Sequence, residues 1–310
     1  MTEPYREHPL QLGEDTHLAA TMTVPLKTAL KALAARQGAG AASSSQMPIG
    51  VLMLNAGVIH RIGPHRINVK LARQLARMGI PSVRLDLSGL GDSRRAAGTA
   101  SMFEQASHDI RCALDALTER TGIERFVIVG ICSGAEYGYQ YAAQDARVAG
   151  LVMVDGYSFG NWRTRWLRYG LRFATLTWPV LKQAVMGRLR RWRAASQGAA
   201  DPATPVDYGL PTITAEAFAA GLSHRVRAGC RVYLLYTGSI LQRYNHASQF
   251  RDVMKALPMP AADRAALAEV QCDFLPEIDH TLSTLEGQRI FMGRVGQWVN
   301  RQFRSSWRPS

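Results

Sequence analysis

The chain is short of several things, and each shortage excludes a class of protein. Only four cysteines occur in 310 residues, Cys112, Cys132, Cys230 and Cys272. Their spacing pairs none of them, which argues against a disulfide framework and against a structural zinc site, and it fits a reducing compartment. No apolar run approaches the ~18 residues of a membrane span, and the polar start Met1-Thr2-Glu3-Pro4-Tyr5-Arg6 lacks the basic-then-apolar order of a signal peptide. The expectation is a soluble, cytoplasmic protein. Acidic residues are also scarce, 24 against 37 Lys and Arg, for a net charge of +13. Such a surface attracts anionic partners, but charge alone does not choose among nucleic acid, anionic lipid and an acidic carrier protein.

Hydrophobic residues make up 47% of the chain, enough for one large α/β core. Two short strands, Tyr5 to Leu12 and His17 to Val24, are joined by a turn at Gly13-Glu14-Asp15 as an entry hairpin. An Ala- and Ser-rich surface excursion separates them from the next strand, Ile49 to Leu54. Strand and helix then alternate: a helix over Arg66 to Met78, a strand over Val83 to Leu87, a helix over Ser101 to Thr121, and a strand running from Arg125 to Cys132. A helix over Gly134 to Asp145 and a strand over Val148 to Val154 follow. After about seventy residues without alternation come a strand at Arg231 to Tyr236, a helix near His246 to Leu257, a strand at Val270 to Leu275 and a closing helix from Leu285 to about Phe303. This order predicts a mainly parallel sheet with helices on both faces and one insertion, so that residues 1–155 and 229–310 form the core and 156–228 a helical lid.

The centre of the pattern is Val129-Gly130-Ile131-Cys132-Ser133-Gly134-Ala135. A buried strand ends at a turn bracketed by glycines and a helix of small residues begins, the local requirement for a sharp strand-to-helix elbow that exposes one side chain above a helix N-terminus. That side chain is Cys132, a thiolate candidate. A buried cysteine between glycines is more often an inert packing residue, and it is the position in the strand order that changes the reading. Two serines compete. Gly156-Tyr157-Ser158-Phe159-Gly160 carries the serine form of the elbow, but bulky Asn161, Trp162 and Arg163 follow it and it lies one strand late; choosing Ser133 would put Ile131 where a small residue is wanted.

With Leu52-Met53-Leu54-Asn55-Ala56-Gly57, the segment Val83-Arg84-Leu85-Asp86-Leu87-Ser88-Gly89-Leu90-Gly91-Asp92-Ser93, and Ile278-Asp279-His280-Thr281 in the same order, the chain resembles the α/β-hydrolase superfamily over nearly its whole length. At the elbow it is most similar to cysteine-nucleophile members such as dienelactone hydrolase. The resemblance implies His280, after the last strand, as the base, and backbone N–H groups of Ser133 and Gly57 as an oxyanion hole. The acid departs from the commoner pattern, because Thr237-Gly238-Ser239-Ile240 after the strand at Tyr236 holds no carboxylate. Asp155, one strand earlier, is the residue named to orient His280, and a Cys-His dyad remains viable without it. Asn55, Val58, His60, Trp162, Trp166 and Ser239 are expected on the substrate side.

The stretch from Gly156 to Ala200 contains no Asp or Glu but holds Arg163, Arg165, Arg168, Arg172, Lys182, Arg188, Arg190, Arg191 and Arg193, interleaved with Trp162, Trp166, Tyr169, Phe173, Trp178 and Trp192. A solvated basic face is the plain reading. The sharper one is docking of an acidic acyl-carrier protein or peripheral contact with an anionic membrane; nucleic acid is not expected, and neither a cofactor nor a metal. The function expected is hydrolysis of an ester, lactone or acyl thioester through an acyl-cysteine. The same residues would serve an acyltransferase or cyclising thioesterase, and the missing carboxylate leaves open a silent binding protein on a hydrolase fold.

Overall fold

The computed structural model describes residues 5–26, 48–98, 100–164, 166–167 and 212–303. Among the described residues eight strands form one sheet, with the N-terminal hairpin at one edge and the last strand of the chain at the other. The hairpin of β1 (Tyr5–Leu12) and β2 (Leu18–Pro25) is antiparallel, with Leu12 opposite Leu18 and Tyr5 opposite Pro25. It joins the rest through antiparallel pairing of β2 with β4 (Ser82–Leu85). From there every neighbour is parallel: β4 with β3 (Gly50–Met53), β3 with β5 (Phe126–Ile131), β5 with β6 (Val148–Val154), β6 with β7 (Arg231–Thr237), and β7 with β8 (Gln271–Leu275). The α/β-hydrolase fold expected from the sequence is therefore present, with its mainly parallel sheet.

Both faces of the sheet are covered, and this is why its central strands are apolar at every position. Along β3 and the residue after it, Val51 and Met53 enter one core while Leu52 and Leu54 enter the other. On the first face lie α1 (Ile67–Arg77), through Ile67, Leu71 and Leu75, and the closing helix α7 (Leu285–Phe303), through Phe291, Val295, Trp298 and Val299. On the second face α2 (Met102–Thr121) packs Ile110, Leu114 and Leu117, and α3 (Ser133–Tyr141) packs Tyr137, Tyr139 and Tyr141. A capping box closes the start of α2, with Ser101 and Glu104 bonded reciprocally, and Gly122 ends it in a left-handed conformation.

Three further helices share that second face: α4 (Ala215–Arg227), α5 (Gln249–Ala256) and α6 (Ala261–Ala268). Helix α4 falls inside the stretch 156–228 assigned from sequence to the lid. Its Phe218 and Leu222 are fully buried against the sheet side of the molecule, so this end of the stretch is part of the core packing. The basic and aromatic residues from Arg168 to Trp192 lie outside the described residues. Among the described residues no helix is long and apolar enough to cross a membrane.

Candidate active site

Parallel strands bring the loops after β3, β5, β6, β7 and β8 to one edge of the sheet, and the chemistry-bearing residues gather there. At the end of β5 the chain turns through Cys132 with φ 57° and ψ −125° and enters α3 at Ser133. L-residues avoid this region, and a side chain held there signals a surrounding structure that fixes it. The two glycines are what make the turn possible. A Cβ on Gly134 would stand 2.2 Å from the Asn55 carbonyl oxygen, and one on Gly130 would stand 2.3 Å from the Gly134 backbone. The elbow is thus packed backbone to backbone against the loop after β3. Cys132 N–H donates to Val154 O at 2.8 Å, and Ala135 N–H returns to Cys132 O at 3.0 Å. The thiol is half-buried at the amino end of α3.

His280 sits on the loop after β8. Its Nδ1 is 2.7 Å from Asp155 Oδ2, and Cys132 lies near enough to influence the charge on the ring. Bonding to Asp155, and then the influence of Cys132, raises the His280 pKa to about 10, against burial, which opposes the charge. Asp155 follows β6 at a positive φ of 49°, and its carboxylate is fully enclosed. Its remaining capacity is filled from β7: Thr237 N–H donates to Oδ1 at 2.7 Å and Thr237 Oγ1 donates to Oδ2 at 2.6 Å. Thr237 stands where the sequence offered no carboxylate, and it fixes the carboxylate that the neighbouring strand supplies. Ser239, expected on the substrate side, accepts the His280 backbone N–H on its Oγ at 2.7 Å and so holds the histidine loop.

Opposite the histidine lies the loop after β3. Gly57 N–H, expected in the oxyanion hole, donates to Ser133 Oγ at 3.1 Å. Asn55 is buried, and its side chain is taken up by the protein itself: Nδ2 donates to Ile59 O and to Asp86 Oδ1, each at 2.8 Å, and Oδ1 accepts from Leu87 N–H at 2.7 Å. These three bonds make Asn55 a strut of the loop. Asp86 is the hub beneath it, also accepting from Arg61 N–H, Arg61 Nη1 and Asp92 N–H. His60 completes the cluster, with Nε2 2.9 Å from Asp92 Oδ2 and 2.9 Å from Arg61 Nη1. Ligand atoms of His60, Asp86 and Asp92 lie within 4.8 Å of one another. The Arg61 guanidinium already occupies the position a cation would take among them.

Val58 is exposed on the loop after β3, and Trp162 and Trp166 are exposed at helical positions beyond β6, at 72% and 69%. The competing serines are placed differently from Cys132. Ser158 has its Oγ buried without a hydrogen-bond partner among the described residues, while Ser133 bonds Gly57. His246 is buried and bonds Ser248 through Nδ1 at 3.2 Å. Sequence reasoning passed over Thr237, the Arg61–Asp86 hub and Glu136, whose half-buried carboxyl, one turn along α3 from Cys132, is pushed up by burial. The capacity of Thr237 to donate twice was the legible signal, since a buried carboxylate needs such donors.

This edge can support nucleophilic chemistry: a thiol on a strained elbow, an imidazole near it, and a carboxylate bonded to the imidazole. Comparison with solved structures agrees on the fold. An esterase of Pyrococcus furiosus superposes with a TM-score of 0.52 at 12% identity, covering 96% of this chain and 91% of its own. An α/β serine hydrolase without lid from Xanthomonas campestris superposes with a TM-score of 0.52 at 11% identity, covering 99% of each chain. A search of curated protein sequences finds no match. The family model described as serine aminopeptidase, S33, matches residues 48–205, which span the loop after β3, the elbow and Asp155. Over that half of its length, and with the strand order and elbow just described, the chain belongs to this family of α/β hydrolases.

Proposed function

We propose that this hydrolase acts on a carboxylic ester, lactone or acyl thioester through a covalent acyl-Cys132 intermediate, with His280 as proton carrier and Asp155 as its orienter. The observation that carries the reading is the grouping of Cys132, His280 and Asp155: an imidazole held at 2.7 Å by a fully enclosed carboxylate, with the elbow cysteine near enough to raise its pKa. Asp155 fixes the ring orientation and favours the imidazolium, as a buried carboxylate does in hydrolytic triads.

In the first step the Cys132 thiolate attacks the acyl carbon. A C–S bond forms, the carbonyl π pair moves onto oxygen, and the oxyanion faces the helix N-terminus at Ser133 N–H. Collapse of the oxyanion breaks the bond to the leaving alkoxide or thiolate, which takes the proton from the His280 imidazolium. Water then gives a proton to the neutral imidazole and attacks the thioester carbon, and the second collapse returns Cys132 as thiolate and His280 as imidazolium. Oxidation states do not change, and no cofactor is called for.

The matching family is described by a serine, whereas the elbow residue of this chain is Cys132. A thiol suits an imidazole that stays protonated at neutral pH, because the reactive pair is thiolate and imidazolium. The test is intact-mass detection of an acyl adduct after mixing with a panel of acyl thioesters and p-nitrophenyl esters, followed by peptide mapping. An adduct on Cys132 in the wild type, absent in Cys132→Ala, is the expected result. Full turnover by Cys132→Ala would transfer the nucleophile to Ser158 or Ser133.

A further inference from the structure

The geometry points to the Ser133 hydroxyl as a catalytic donor: it relays the Gly57 N–H to the oxyanion, alongside the Ser133 backbone N–H. The inference rests on the acyl-Cys132 reading above and adds a residue to that site.

Two N–H groups are the usual complement of such a hole, but here the second is already engaged, since Gly57 N–H points at Ser133 Oγ at 3.1 Å. Ser133 is buried, and its hydroxyl accepts this bond while giving its own proton to no acceptor among the described residues. A buried hydroxyl with an unused donor is costly unless some state of the protein supplies the acceptor. The acyl oxygen is the group that fits. The N–H and Oγ of one serine are only ~3 Å apart, so an oxygen held by the backbone N–H is within hydrogen-bond reach of that residue's own hydroxyl. Gly57 N–H to Oγ–H to oxyanion is then a chain of aligned donors, each polarising the next, and the hydroxyl donates more strongly for accepting from Gly57. The rival reading of the same contact has the opposite sign. If Ser133 Oγ merely occupies the place of the oxyanion and has to leave, deleting it will speed acylation.

The experiment is single-turnover acylation of Cys132 by a p-nitrophenyl ester, read by mass and by nitrophenolate release, in wild type, Ser133→Ala, Ser133→Thr and Ser133→Cys. Iodoacetamide alkylation of Cys132 across pH is run beside it, because that displacement develops no oxyanion. Ser133→Ala is expected to acylate about 10²-fold more slowly, the loss typical of one oxyanion donor. Ser133→Thr, which keeps the hydroxyl, should stay within a few-fold of wild type, and Ser133→Cys, a weaker donor of similar shape, should fall between them. The last variant decides the matter if the alanine protein does not fold. Alkylation of Cys132, located by peptide mapping so that the added thiol of Ser133→Cys is counted apart, should keep its rate and pH dependence throughout. Acylation by Ser133→Ala at or above the wild-type rate overturns the relay, as does a parallel fall in alkylation, which would place Ser133's effect on the thiolate. A wild-type protein that alkylates at Cys132 but never acylates defeats the acyl-enzyme reading itself, an outcome separate from either.

Discussion

The conformation of Cys132 can be measured without any substrate, by comparing Cys132→Gly with Cys132→Ala. Both variants lose the sulfur and its effect on His280, so those terms cancel between them. At φ 57° and ψ −125° the alanine keeps its Cβ in a region that glycine enters freely. Backbone strain of this kind costs about 1–3 kcal/mol. Against its removal stand the extra chain entropy of glycine, roughly 0.5–1 kcal/mol, and the loss of one methyl at a half-buried site, a few tenths of ~0.8 kcal/mol. Glycine should therefore come out about 1 kcal/mol more stable than alanine, the reverse of the usual order within regular structure. In urea unfolding this is a higher midpoint for Cys132→Gly at unchanged slope, and in a thermal scan a melting temperature about 2 °C higher. An alanine variant as stable as the glycine variant, or more so, would refute the strained elbow, and with it the geometry that exposes the thiol.

Gly134→Ala places a Cβ 2.2 Å from the Asn55 carbonyl oxygen, backbone against backbone, so a loss of at least ~3 kcal/mol is expected in urea unfolding, together with slower alkylation of Cys132. Asp86→Ala removes a fully enclosed carboxylate from Arg61, Asn55 and two backbone donors and should cost about 3–5 kcal/mol, read from the same unfolding curves, while Asp92→Ala at the exposed rim of the cluster should cost under ~1 kcal/mol. Asp155→Asn should bring the His280 titration down from about 10, as followed by imidazole proton chemical shifts, since the bond to Asp155 is the largest cause of its height. The His280 pKa is raised on folding, so its contribution to stability is complete below its unfolded value of ~6.5 and disappears as pH climbs through about 10. The stability difference between wild type and His280→Gln should shrink across that window, and a constant difference would deny the raised value.

Much of the fold was legible because hydrophobic period and glycine placement report backbone geometry directly. The run from Phe126 to Ile131 is buried at every position, as expected of a strand covered on both faces, and Gly130 and Gly134 mark the close approach that the structure shows. Helix α4 escaped because its first half is mostly alanine, which carries little periodic signal. Only Phe218, Leu222 and Val226, four residues apart, betrayed its buried face. Helix α6 is alanine-rich and short for the same reason. The site divided along another line. Cys132, His280 and Asp155 could be found as residues at strand ends, because the ends of parallel strands converge whatever the side chains do. What Asn55, Ser239 and His60 bond to could not be found that way. A polar side chain beside a site reads the same in sequence whether it faces a substrate or ties down a loop, and each of these has a partner in a chain segment 31 to 41 residues away.

The height of the His280 titration bears on why sulfur, and not oxygen, stands at this elbow. A general base for a hydroxyl nucleophile has to be neutral before the reaction, and an imidazole that titrates at about 10 is neutral in only about one molecule in a thousand at pH 7. A thiolate nucleophile needs the opposite, a proton already on the imidazole and ready for the leaving group. Asp155 and Cys132 both raise His280, so putting a hydroxyl in place of the thiol weakens one of these influences and leaves the other. Cys132→Ser should then titrate His280 below its wild-type value, toward the value a serine enzyme requires, while losing the thiolate that the proposed mechanism calls for. Its acylation rate should accordingly climb with pH as the imidazole deprotonates, at pH values where the wild-type rate is already level. Identical pH profiles for the two proteins would mean that the charge on His280 does not depend on the sulfur, and the argument for a thiolate and imidazolium pair would lose its footing.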